Sequence, residues 1–437
     1  MKYKFSLILI IIQLATNLPL LAQWQVEGGL YDTYSLEVAP STGLSKVFLV
    51  YGTRQLNIGY QLPSDAPAKA YTYSQSALNL SPIRFQQSNS ALSIIDPQVG
   101  LGYVIDQEGQ SPVYMWVIDY EASSLQINSL TINQELSNCY SVALTFDRVA
   151  PELFYHTING QRKDIERLYT LSYNTLHWDE ENKFFSDKIA KEEVKGYKDI
   201  AVDSPLIDTE FTIVGDQFLS HWGIVDKAVS EVYAAIAVDG RATAEHIVRE
   251  SGNEIDKQFG TNIGGSAPVD VDFRSYVNDN VVSYVAWEFS RDKEFEVIDA
   301  TFTDPDLSYS FEEEGTTYVR CVVNNSQGSC EKVIENFEVT TVESMLEVPN
   351  VFTPQSRSGN NQIFKVAYKS IIEFEAIVYN VWGNELYRWT DPSNGWDGKY
   401  NGKYVPTGAY YYFIKAEGVG GKKYELKGDI NVLNSIE

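Results

Sequence analysis

Short runs rich in Val, Ile, Tyr and Phe recur along nearly the whole chain, each closed by turn-forming residues. Lys46–Tyr51, Gln55–Leu62, Gly102–Ile105 and Tyr114–Tyr120 are four of them. Between them stand Ser64-Asp65-Ala66-Pro67, Asp96-Pro97 and Glu108-Gly109-Gln110. Runs this short and this closely punctuated do not build long helices; they build sheets that fold back on themselves. The expected fold class is all-β, a series of tandem β-sandwich domains. With 437 residues, about three or four domains are expected.

Later runs extend the pattern. Tyr140–Phe146 alternates, and Leu153–Ile158 leads into Asn159-Gly160, a pair that tolerates positive φ and marks a hairpin. Tyr169–Trp178 follows. The Lys- and Glu-rich stretch Asp179–Lys198 is open to two readings, a hairpin loop or a short helix. Glu231–Asp239 reads as a further strand, and Gly260–Pro268 as a linker or wide turn. These breaks divide the chain into 1–22, 23–136, 137–262, 263–345 and 346–437.

Residues 1–22 read as a signal peptide. Lys2 and Lys4 precede the apolar run Phe5–Ile12, and Ala22 supplies a small residue before Gln23. Gln13, Thr16, Asn17 and Pro19 interrupt the run, which leaves it short of the ~20 apolar residues a bilayer span requires. The competing reading is a retained anchor. No later stretch is long and apolar enough to span. The expected localisation is therefore export across the inner membrane by the general secretory machinery. With 59 Asp and Glu against 34 Lys and Arg, the net charge is −25. That balance argues against nucleic acid as a partner and against a polybasic hold on a membrane.

An oxidising destination permits disulfides. A hairpin centred on Asn325-Ser326 would set Cys321 opposite Cys330, so this pair is the disulfide candidate; two separate buried thiols are the alternative. Cys139 is expected to be a small buried residue.

The last 90 or so residues carry the densest motifs. Pro349-Asn350-Val-Phe352-Thr353-Pro354 comes first, then Asn380-Val-Trp382-Gly383-Asn384, a tight turn in which the Trp is expected to act as an anchor. Trp396-Asp397-Gly398 and Asn401-Gly402 are turn sequences. Pro406-Thr-Gly408 opens a strand on which Tyr410, Tyr412 and Ile414 share one face, and Gly428 lies in the closing strand. In this order and spacing the segment resembles the gliding-motility-associated C-terminal domain of Bacteroidetes, a C-terminal signal of the type IX secretion system. The resemblance implies an immunoglobulin-like β-sandwich read by the outer-membrane translocon, the last of a tandem series of such domains, and a surface, outer-membrane or extracellular destination. Two features depart from the family: Gln355–Asn361 has no acid where relatives carry an acidic loop, and Val381 replaces a basic residue. The loop departure implies no cation site there. Upstream, Val285-Ala-Trp287-Glu-Phe289 and Tyr309–Asn325 resemble PKD domains of bacterial surface proteins.

No nucleophile elbow, His-Glu-x-x-His or phosphate loop occurs. His156, His177, His221 and His246 are scattered and read as surface or packing residues, with His221-Trp222 near Asp216 a weak polar pocket. Asp270/Asp272 and Asp304/Asp306 have the spacing of paired acids. They suit a glycosidase pair or calcium less well than edge acids in an acidic protein. No cofactor, metal or catalytic residue is expected. The expected function is a non-enzymatic exported surface protein that binds or adheres. An accessory or signalling component of the secretion system is the first alternative, and a cryptic hydrolase the second.

Overall fold

The computed structural model describes residues 23–258, 262–357, 359 and 361–434; the expected signal peptide lies outside the described residues. The chain is all-β, with one five-residue helix, Gln217–His221, and three turns of 3-10 helix among the described residues.

The first unit pairs a four-stranded sheet with a six-stranded one. At the centre of the larger sheet, Lys46–Val50 and Val113–Asp119 run parallel. Their runs Val-Phe-Leu-Val and Met-Trp-Val-Ile do not alternate, because both faces are covered. Phe48, Val50, Met115 and Val117 join Ile58, Tyr60 and Leu92 in the core between the two sheets. Val47, Leu49, Trp116 and Ile118 face the other way and share a core with Leu144, Phe146, Leu171 and Ile213 of the second unit. The first two units are thus fused through one sheet.

The second unit sets Gln126–Asn133, Ser141–Val149 and Asp199–Asp203 against Phe184–Lys195, Leu168–Asp179, Thr212–Asp216 and Lys227–Val229. Gln126–Asn133 falls before residue 136 and was assigned by sequence to the first unit, yet it pairs with Ser141–Val149. Its alternation marks a strand and says nothing of its partner. The Lys/Glu stretch is the second arm of a hairpin, Leu168–Asp179 paired residue for residue with Phe184–Lys195. The segment read as the strand Glu231–Asp239 is irregular, apart from a bridge between Tyr233 and Thr209.

The third unit contains Gly240–Ile247, which pairs with Val269–Val277 rather than with anything before residue 240. Its second sheet is built on Gly315–Asn325 between Val282–Ser290 and Glu331–Thr341. Trp287 is fully buried beside Phe273, and its indole donates to the Asp304 carbonyl (3.1 Å).

The expected Cys321–Cys330 bond is not formed. The hairpin register sets Asn324 opposite Glu331 and Cys321 opposite Glu335. The turn therefore lies further along the chain than Asn325-Ser326, and Cys330 stands beside Asn325 instead. Cys330 bonds Cys139 of the second unit, with Cα atoms 5.6 Å apart, while Cys321 stays a free thiol in the core.

Three joints connect the units. At the first, Arg167 donates to Asp216, to the Tyr120 hydroxyl (2.9 Å) and to the Ser123 and Pro151 carbonyls. The Cys139–Cys330 bond forms the second, with Trp178 against Tyr276 (ring centroids 5.6 Å apart). At the third, the Asn253 amide donates to the carbonyls of Val366 (2.8 Å) and Pro392 (2.7 Å). Ser266 and Ser370 exchange hydrogen bonds with the facing backbone there.

Candidate functional site: the C-terminal sandwich

The fourth unit is built on the sheet Val351–Phe352, Lys423–Val432, Gly408–Gly418, Ile371–Tyr379 and Glu385–Trp389. Its first motif is held by the last strand. Val351 and Phe352 pair in parallel with Asn431 and Val432. The Asn350 carbonyl accepts from the Asn431 amide (2.9 Å), and the Phe352 carbonyl from the Leu433 amide (3.1 Å). Thr353 donates its amide to the Asn361 carbonyl (2.8 Å). Pro349 is half-buried and Pro354 buried.

Phe352 then meets the third motif. Its ring lies 5.4 Å from that of the fully buried Trp396, which in turn packs 5.7 Å from Tyr410. Gly398 has φ +77°, and a Cβ there would come within 2.8 Å of Pro354, so the close approach of the two motifs requires glycine. Asp397 accepts from the Lys399 amide (3.0 Å) and pairs with its ammonium (2.9 Å). Asn401 and Gly402 both have positive φ (51° and 79°) and turn the small hairpin Lys399–Tyr400/Lys403–Tyr404.

Tyr410 donates to the Pro406 carbonyl (3.0 Å). Gly408 begins its strand opposite Val432. Tyr410 and Ile414 are in the core, with Tyr412 packed at its edge. Gly428 makes room for that phenol, since a Cβ there would lie 2.7 Å from its oxygen. Most of the motif residues are thus brought together as one core with its turns.

Trp382 is different. The anchor expected from sequence is 81 % exposed. The turn is closed instead by Asn380, whose side-chain oxygen accepts from the amides of Trp382 (3.0 Å) and Asn384 (2.9 Å). Gly383 follows at φ +82°. An Asx-type closure of this kind leaves the Trp side chain with no part in holding the turn.

The weaker candidates do not converge. His156 packs on Trp116 and His221 on Tyr34. Asp216 is committed to Tyr120 and Arg167 and caps the short helix. Asp270 and Asp272 each accept from a serine across the strand pair, Ser310 and Ser308 (both 2.6 Å). No group of three His, Cys, Asp or Glu side chains that could hold a metal occurs among the described residues. Sequence reasoning missed Arg167, because Glu166-Arg167-Leu168 carries no sign of burial. It also missed the cleft between the second and third units. That cleft has a volume of about 570 Å³ and is lined by Tyr140, Tyr173, Lys188, Lys191 and Asp239 among others.

Residues 346–432 match the CHU_C Type IX secretion signal domain, and residues 131–230 match a fibronectin type III domain. The chain therefore carries a type IX secretion signal behind an immunoglobulin-like module, which implies a secreted protein handled by the type IX machinery. No curated protein matches it. Among solved structures, dimeric latent PorU from Porphyromonas gingivalis aligns at 10 % identity over 75 % of this chain, with a TM-score of 0.16. The chain covers 36 % of that protein. The FN1-FN3 domains of chicken CNTN1 align at 14 % identity over 70 % of this chain and 99 % of theirs, with a TM-score of 0.23.

Proposed function

We propose that this is a non-enzymatic, exported cell-surface protein whose first three units bind a surface ligand or partner. The C-terminal sandwich directs it through the type IX translocon after passage by the general secretory route. The secretion-signal match over 346–432 supports this reading most directly. The immunoglobulin-like modules fit a binding protein, and the cleft beside the exposed Tyr140 supplies a concave surface of ligand size. A second reading, an accessory or signalling component of the secretion system, draws on the third joint. There Asn253, Ser266 and Ser370 tie the signal domain to the body of the protein rather than leaving it on a free tether.

Mass spectrometry of surface, periplasmic and medium fractions from wild-type and translocon-null cells tests both readings. Arrival at the surface only with a working translocon supports export. A mature protein that still contains residues after 346 favours the accessory role. Retention in the periplasm of both strains refutes export.

A further inference from the structure

The hairpin tip at Trp382 continues into an outward-facing apolar row. Tyr379 is opposite Tyr411 and Ile377 opposite Phe413. Their neighbours Ala376, Val378, Tyr410 and Ile414 fill the core, so strand alternation turns this quartet to the other face, where Ile377 is itself buried, Tyr379 and Phe413 are half-buried and Tyr411 is open. Val381 and Trp382 stand at the end of the row, 58 % and 81 % exposed, and Tyr411 is 48 % exposed. A single exposed apolar side chain needs no explanation. An aromatic row ending in a Trp held by its own backbone closure is another matter, because a preorganised aromatic knob is what dominates protein interfaces.

The rim is polar and mixed in charge. Arg388 pairs with Glu385 (2.8 Å) and Glu375, Lys415 lies over the Phe413 ring (5.5 Å), and Lys427 and Asp429 stand opposite Phe413 and Tyr411. Glu425 stands opposite Lys415 on the same face, so three cations meet four anions, which leaves no positive excess to hold an anionic lipid surface. What remains is an apolar core with a polar rim, the anatomy of a protein–protein contact.

We propose that this face, from the Val381-Trp382 tip to Phe413, docks into an apolar, aromatic-accepting pocket on a protein of the export apparatus. The inference rests on the secretion reading, since the matched signal domain contains the whole patch and a signal must be read by a protein.

The test uses the full-length protein in its own cells. A photo-crosslinking amino acid replaces Trp382, and crosslinked products are identified by mass spectrometry. In parallel, Trp382→Ala with Tyr411→Ala, and separately Tyr411→Lys, are followed by cell fractionation and by the Tm of the purified proteins. The expected result is a crosslink to a translocon subunit and a roughly tenfold fall in surface protein, as for loss of a hot-spot aromatic, at unchanged Tm. Export equal to wild type overturns the docking proposal alone. Crosslinks only to a second copy of the chain or to lipid do the same, as does lost export accompanied by a lowered Tm in both variants. Wild-type protein that reaches the surface without the translocon overturns the secretion reading itself, and the docking proposal with it.

Discussion

The Tyr120 hydroxyl donates a 2.8 Å hydrogen bond to Asp216 from a strand end 96 residues earlier, and neither side chain touches solvent. Arg167 completes the pair with its own bond to the same carboxylate oxygen. Burial and the Asp216 charge hold the Tyr120 phenol well above its usual range, so it stays a donor at every physiological pH. Asp216→Ala leaves a buried guanidinium without its counterion and a helix without its cap. Its expected cost is about 3–5 kcal/mol. Tyr120→Phe is expected to cost about 1–2 kcal/mol. Replacing Arg167 and Asp216 together with apolar residues should cost less than the sum of the two single changes. Urea unfolding of the wild type, the three single variants at Asp216, Tyr120 and Arg167, and the double variant measures all of these.

The bond between Cys139 and Cys330 closes a loop of 191 residues, so its loss should lower stability by up to about 5 kcal/mol. Cys139→Ser and treatment of the wild type with reductant should give the same Tm, and reductant should not lower the variant's Tm further. Burial pushes the Cys321 thiol up to about 12. Thiol titration at pH 8 should therefore find almost none in the native protein and one per chain in denaturant, and Cys321→Ala should abolish that signal.

Gly398 and Gly402 both have left-handed backbones, but only Gly398 has a neighbour in the way. Gly402→Ala should cost about 1 kcal/mol for the backbone alone. Gly398→Ala adds the clash with Pro354 and should cost about 1–3 kcal/mol more. Thermal unfolding of the two variants separates the contributions.

His246 is half-buried, and burial together with the Arg249 charge lowers its pKa, against a smaller opposing pull from Asp270. The folded state thus binds the proton less readily than the unfolded chain. The contribution of His246 is intact above the unfolded value of about 6.5 and is lost as the pH falls from there through the lower folded value. Denaturant midpoints measured from pH 7.5 to 5 should decline, and His246→Gln should flatten that part of the slope.

How much of this was legible beforehand can be read from individual residues. The turn at Asn401-Gly402 and the shared face of Tyr410, Tyr412 and Ile414 follow from local rules, positive φ and a period of two, which need no partner to operate. The two-faced burial of Val113–Asp119 was latent in its unbroken apolar run. Trp382 was misread, because an aromatic beside a turn glycine has the same sequence whether it points into the core or away from it.

By itself, then, the amino-acid sequence determined the all-β class, the turns at Asn159-Gly160 and Asn401-Gly402 and the motif order that marks the C-terminal domain, since each depends on residues close along the chain. The tertiary structure alone decided which sheet receives Gln126–Asn133, that Cys330 reaches Cys139 rather than Cys321, that Arg167 is buried at a joint, and that Trp382 stands in solvent. Each of these depends on groups far apart in sequence, whose meeting is set by packing and strand register rather than by local propensity.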